Sequence, residues 1–255
     1  MLSSPAEPKE QLDIVYRDDH LVAVNKPAGL LVHRSNIDRH ETRFALQILR
    51  DQLGRRVYPV HRLDKPTSGL LVFALDRVGA ARLSASFGNG DVAKRYWAVV
   101  RGYTDEQGRV DHALKEPHDA LDDPRGRRDK PAQAAVTDYR RLATVELPLA
   151  VGRYATARYS LVEATPRHGR RHQIRRHMKH LSHPIIGDTT YGNGAHNRLF
   201  REQFGCQRLL LAAVGCVVPH PADGHPLDLQ APLEPAFARV LAALNWPTDP
   251  QSSKL

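Results

Sequence analysis

Apolar and polar positions change period several times along the chain, and each change marks an element. Leu12 to Arg17 and Leu21 to Asn25 alternate or run apolar around Asp18-Asp19-His20, which predicts a β-hairpin. Phe44, Ile48, Leu49 and Leu53 keep helical spacing through Thr42 to Leu53, and Gly54 supplies a stop. Val57 to Val60 reads as an incoming strand. Leu70 to Leu75 is an apolar run too short for a helix and predicts a buried strand. Asp76 is placed to cap a helix running to Phe87, ended by Gly88-Asn89-Gly90. Lys94 to Val100 predicts a strand with aromatics at its head, and Ala134 to Leu147 and Thr156 to Thr165 predict two long strands. Ile174, Met178 and Leu181 recur at helical spacing within the basic stretch that begins at Arg167, which predicts a helix with one apolar stripe and a cationic face. Arg208 to Val218 reads as a further buried strand and His220 to Pro226 as a hairpin turn. Leu233 to Trp246 closes the pattern as an amphipathic helix, with Phe237, Val240, Leu241 and Leu244 on one face.

The flanks differ from this body. Residues 1–11 are polar with two prolines and read as a flexible tail, as do residues 247–255. Residues 12–246 are expected to form a single domain. Residues 115–133 are polar, charged and Pro-rich, and predict a surface loop whose Arg125, Arg127, Arg128 and Lys130 could grip phosphates.

Composition narrows the partner. The 255 residues carry 37 basic against 28 acidic side chains, a formal charge of +9, which favours a polyanion, nucleic acid before membrane. Cys206 and Cys216 make no CxxC and no disulfide framework. The N-terminus lacks a signal-peptide core, and no apolar run reaches the roughly 18 residues of a membrane span. A cytoplasmic protein is expected.

The chemistry concentrates at His61-Arg62-Leu63-Asp64-Lys65-Pro66-Thr67-Ser68-Gly69, one carboxylate between two cations on a loop between core strands. Taken alone, such a stretch is an ordinary turn with its Asp bonded to nearby amides. The full string HRLDKPTSG, however, resembles the HRLDxxTSG signature of the RluA-type pseudouridine synthases. Other matches follow in the family's order: NKPAG at Asn25, KRYWA at Lys94, GRRHQIRRHM at Gly169 and HPIIGD at His183. The likeness spans residues 13 to 232. VHRSNIDRHE, ATVELPLAVGRYATARY and RRHMKHLSHPIIGD are similar to the TruC branch, whose members convert uridine 65 in the T-arm stem of transfer RNA.

The resemblance implies an α+β pseudouridine synthase fold, a mixed, mostly antiparallel central sheet flanked by helices, with the active-site cleft crossing it. It implies Asp64 as the catalytic residue, with Arg62, Tyr96, Ile174, Arg175 and Leu210 as active-site support. In the family the arginine matched by Arg175 pairs with the catalytic Asp, and the tyrosine matched by Tyr96 lies against the target base. Leu210 is expected as an apolar wall. RNA contacts are expected from Arg170, Arg171, His172, Arg176 and Lys179. No S4-type RNA-binding domain precedes the first motif, and Ala212 stands where the family's RLxLHA string has His.

Chemical reasoning points the same way. Glycosidic hydrolysis takes two carboxylates and a positioned water, whereas the HRLD stretch offers one acid. Isomerisation returns the departing base to the same sugar and needs no cofactor, no metal and no obligate protein partner. His168, His172, His177, His180 and His183 invite a metal, but there is no HExxH and no carboxylate among them. The rival readings are a ribosomal RNA target, a non-catalytic RNA-binding protein on the same scaffold, and a metal-dependent nuclease.

Overall fold

The computed structural model describes residues 10–34, 40–116 and 131–250. Strands β1 (Asp13–Arg17) and β2 (Leu21–Lys26) form the antiparallel hairpin that the alternation predicts. Its turn closes on Asp18, whose Oδ1 accepts from the amides of His20 and Leu21. Tyr16 and His220 bond the other oxygen. Helix α1 (Ala45–Leu53) ends at Gly54 in a left-handed conformation that glycine adopts without strain. The short strand β3 (Tyr58–Pro59) precedes the Asp64 loop, and β4 (Ser68–Ala74) follows it. Helix α2 (Arg77–Asn89) begins at Asp76, which accepts from the Gly79 amide, and stops at Gly90.

The remaining elements are β5 (Ala93–Arg101), β6 (Gln107–Asp111), β7 (Val136–Leu147), β8 (Ala157–Pro166), α3 (Gln173–His180), α4 (Gly194–Phe204), β9 (Leu211–Pro219), β10 (Pro226–Gln230) and α5 (Pro235–Ala243). One sheet runs in the order β1-β2-β4-β9-β5-β8-β7-β6, with β3 paired to β4 and β10 to β9. Only the β4–β9 join is parallel among the described strand pairs, and it is short: Ser68 faces Ala212 and Gly69 faces Ala213. This is the expected mixed, mostly antiparallel α+β architecture. At the join a side chain on Gly69 (φ 107) would overlap the Ala213 backbone.

Apolar alternation assigns the helices to faces. Along β5, Trp97 and Val99 pack into a core with α4 and α5, while Ala98 and Val100 pack with Ile174 and Met178 of α3. The first strands pack their own core with α1 and α2. Helix α3 therefore covers one face of the sheet over β7 and β8.

Two expectations need correction. The basic helix does not begin at Arg167. Residues 167–172 form turns, His172 is left-handed (φ 56), and the helix starts at Gln173. Its cationic face is also smaller than the sequence implies: Arg175 is buried, Arg176 is half-buried, and only Lys179 of these three is exposed. Strand β6 and helix α4 were not anticipated. The first has one buried residue in five, and the second buries only Leu199 and Phe200. Arg125, Arg127, Arg128 and Lys130 lie outside the described residues.

Burial alone would raise the Asp18 carboxyl, but its two amide bonds, Tyr16 and His220 outweigh that and hold it at about 2. A depressed folded value stabilises above the unfolded value of 3.8 and is lost as the pH falls towards 2. Asp18→Ala should thus cost roughly 2 kcal/mol at neutral pH by the free-energy equivalent of such a shift. Denaturant titrations should show the gap to wild type closing between pH 3.8 and about 2.

Candidate active site

The Asp64 loop is anchored from both sides. His61 turns inward, accepts the Val72 amide at its Nε2 (2.9 Å), and stacks on Phe87 with ring centres 4.3 Å apart. Burial, aided by Lys94, lowers its pKa to about 3, so the ring is neutral and can accept that bond. On the other side Lys26, from the NKPAG turn, donates its Nζ to the carbonyls of Pro27 (2.9 Å), Leu30 (2.8 Å) and Lys65 (3.3 Å). Gly29 adds an amide bond to the same Lys65 carbonyl. Burial, then Arg208, brings the Lys26 amine down to about 7, against the partial opposition of Glu234 and Asp64. Two sequence motifs thus become one rigid unit, through His61 and Lys26, to which the sequence reading assigned no role.

Asp64 faces Arg175 of α3, with Nη1 3.4 Å from Oδ2. That guanidinium is 5% exposed and the Asp64 side chain 20%. The principal partner of Arg175 is Asp188, which was quoted within HPIIGD but given no role. Asp188 is 1% exposed and takes Nε at 2.7 Å and Nη2 at 2.9 Å. Its Oδ1 also accepts the amides of Thr190 and Tyr191. Burial alone would raise this carboxyl, but the Arg175 and amide bonds prevail and hold it below the usual range. Gly187 makes the approach possible: it is left-handed (φ 79), and a side chain there would overlap the Arg208 backbone.

His172 adds a fourth member. Its Nε2 lies 3.9 Å from Asp64 Oδ2, and its Nδ1 shares a 3.0 Å hydrogen bond with the Tyr191 hydroxyl. The Tyr191 ring in turn sits 5.2 Å from the Arg175 guanidinium carbon. Burial pushes the His172 pKa down, while Asp64 opposes the shift. Tyr96 is half-buried within electrostatic reach of Asp64; burial first, then that negative charge, keeps its hydroxyl protonated.

Asp64, His172 and Arg175 border a cleft of about 580 Å³, whereas Tyr96, Tyr191 and Asp188 stand behind its lining. Arg62, Asp64, Lys65, Arg171, His172, Arg175 and Arg208 line it, with Leu209 as an apolar wall. Asp64 is the only carboxylate among its described lining residues. Leu210 does not line it and packs on the opposite face with Trp97 and Phe237. A period of two cannot tell which of two adjacent leucines faces a site, so the wall was misassigned by one residue. Ile174 is core beside Met178 and is not in the lining. Arg170 bonds the Ala134 carbonyl, and Lys179 is exposed, 5.8 Å from the Tyr191 ring. Ala212 is buried among the Trp97 side of the core, so the departure from RLxLHA falls on packing.

The clustered histidines take separate partners. His168 accepts the Val136 amide, His177 bonds Thr137 and the His112 carbonyl, His180 stacks on His112, and His183 bonds the Arg101 carbonyl. A different group, His220, Asp223 and His225, brings ligand atoms within 4.8 Å on the β9–β10 turn. The two rings there stack at 16°, so their lone pairs run nearly parallel instead of converging on an ion.

A basic cleft with one carboxylate among its described lining residues suits a polyanionic ligand. The profile of the RNA pseudouridylate synthase family matches residues 20–180, and the chain belongs to that family. The protein of Vibrio cholerae called tRNA pseudouridine synthase C is 53% identical, covering 92% of this chain and 96% of that one. Its namesake from Yersinia pestis is 50% identical over 92% and 91% of the two chains. Human RNA pseudouridylate synthase domain containing 4 superposes with a TM-score of 0.69 at 27% identity, covering 91% of this chain and 93% of its own. Human RNA pseudouridylate synthase domain containing 1 shares the fold, with a TM-score of 0.65 at 24% identity over 97% and 100% of the chains.

Removing Asp188 would leave a buried guanidinium with only the Asp64 carboxylate at 3.4 Å. Asp188→Ala should destabilise the protein by about 3–5 kcal/mol at neutral pH, read by urea denaturation. The depressed carboxyl contributes stability above its unfolded value of 3.8, so the penalty should fade as the pH drops below it.

Proposed function

We propose that this RNA pseudouridine synthase acts on transfer RNA, with Asp64 as nucleophile or base on a flipped-out uridine. The observation that carries the reading is the single described carboxylate of the cleft, opposite a buried arginine. Hydrolysis would leave a water to be activated and a second acid to be found. In isomerisation the bond from C1′ to N1 breaks and one from C1′ to C5 forms, within one bound nucleotide. Asp64 serves by attacking the sugar or base, or by removing the C2′ proton to give a glycal. Both roles use a carboxylate, and the Arg175 guanidinium supports its charge from one side while leaving the cleft side open.

A paired, stacked uridine costs a few kcal/mol to extrude. Arg62 is exposed at the rim of the cleft and is assigned to hold the extruded nucleotide or fill the gap it leaves. Tyr96 supplies an aromatic face for the base. Arg170, Arg171, Arg176 and Lys179 are assigned to the RNA backbone. Transfer RNA is favoured by the names of the relatives above, and uridine 65 in the T-arm stem by the likeness of the VHRSNIDRHE and HPIIGD regions. No helix among the described residues is long and apolar enough to cross a membrane, which suits a cytoplasmic enzyme built on residues 12–246.

Purified protein incubated with unmodified tRNA should leave pseudouridine at position 65, mapped by sequencing, and should leave ribosomal RNA transcripts unchanged. A modified ribosomal transcript with unmodified tRNA would favour the rival substrate. Asp64→Asn should bind tRNA as wild type does and release no tritium from C5-labelled uridine. Turnover by that variant would remove Asp64 from the chemistry.

A further inference from the structure

The isomerisation ends with a step that needs a base. Once C5 has joined C1′, it carries both the sugar and its original hydrogen, and N1 is double-bonded to C6. The C5–H bond must break, its electron pair becoming the C5=C6 bond, while the C6=N1 pair settles on N1, which takes up a proton from water. The base must sit near the sugar carbon that Asp64 serves, because C5 is by then bonded to that sugar.

We propose that His172 Nε2 accepts the C5 proton, which rests on the assignment of Asp64 above. His172 lines the cleft, 3.9 Å from the Asp64 carboxylate. The Tyr191 hydroxyl at Nδ1 fixes the ring; in the tautomer this role requires, Nδ1–H donates to that oxygen and Nε2 presents its lone pair to the cleft. Tyr191 is itself secured, by its amide on Asp188 and its ring beside Arg175. The backbone is held where side chains rarely go, with φ 56 and ψ 28, immediately ahead of α3. Such a conformation is strained for a residue with a Cβ and is retained where the surroundings over-determine it. Here it sets the imidazole against Asp64.

Protonation states agree with this placement. Burial keeps His172 from charging, so the ring is a free base before the reaction. After the transfer, the imidazolium faces the Asp64 carboxylate and then returns its proton to solvent. The neighbours are poorer bases. Tyr96 is kept protonated by burial and by Asp64, Arg175 stays charged between two carboxylates, and the Lys26 amine is committed to three carbonyls.

The test compares uridine with 5-fluorouridine at the target position of a tRNA transcript. The fluorinated base has no C5 proton, so its rearrangement to the C-glycoside omits the step assigned to His172. Asparagine tolerates left-handed backbone, so His172→Asn keeps the local conformation. Single-turnover uridine conversion by His172→Asn should fall by about 100-fold, the scale of a lost general base. Deuterium at C5 should then slow it further, an effect absent in wild type. Rearrangement of 5-fluorouridine, measured with enzyme saturating over the transcript, should be unchanged. Equal losses on both substrates would reduce His172 to a structural role, and no loss on uridine would also overturn the proposal. Asp64→Asn, run alongside, should fail on both substrates. Its activity would refute the Asp64 assignment separately from the substrate-selective defect that reports on His172.

Discussion

A single buried guanidinium, shared between two carboxylates, is the constraint on which the site depends. Arg175 spends Nε and Nη2 on Asp188 and points Nη1 at Asp64. The planar fork fixes these directions relative to one another, so the position of Asp188 sets how closely the arginine approaches the cleft. A lysine would carry the same charge without the geometry. The 3.4 Å contact to Asp64 is therefore the looser of the two, as suits an acid that must also meet a substrate. The Asp64 loop is distant in sequence from helix α3 and the 187–191 turn, and this one side chain brings the three into register.

The sheet explains why those segments meet. The strand leaving the Asp64 loop joins β9 in parallel over two residue pairs, and β9 arrives directly from the Arg208–Leu209 wall of the cleft. Arg208 crosses the same join, bonding Ser68 Oγ and the Leu211 carbonyl and pairing with Glu234. The Asp64 carboxylate is thus suspended at the one place where two antiparallel halves of the sheet are stitched together. Strong backbone pairing lies on either side of it.

Local order was readable in the sequence wherever one residue type has one physical meaning. Gly54 as a helix stop and Asp76 as a helix cap follow from conformational freedom and a short acceptor. Asp64 and Arg175 were picked out by the strings around them, and the structure sets them within 3.4 Å. What escaped was mostly long-range. Nothing in HPIIGD says that its acid turns back onto a helix, and nothing in NKPAG says that its lysine is buried among carbonyls. The start of α3 escaped for the opposite reason. Arg167 to His172 shares the basic character of the helix that follows, but Gly169 is a poor helix former and His172 is left-handed, so the helix begins at Gln173. Helix α4 left a weak signal in Asn193, whose side chain accepts from Ala195 and His196. The adjacent apolar residues were too few to mark a face.

The tether at Lys26 makes the loop assembly observable from outside. Its amine is held near 7 instead of 10.5 because it is fully enclosed, and contact with solvent would return it to the ordinary value. Acylating reagents reach it only when the NKPAG turn lifts away from the Asp64 loop. The rate at which this lysine is labelled therefore clocks the parting of the NKPAG turn from the Asp64 loop, and any ligand that seals the cleft slows the clock.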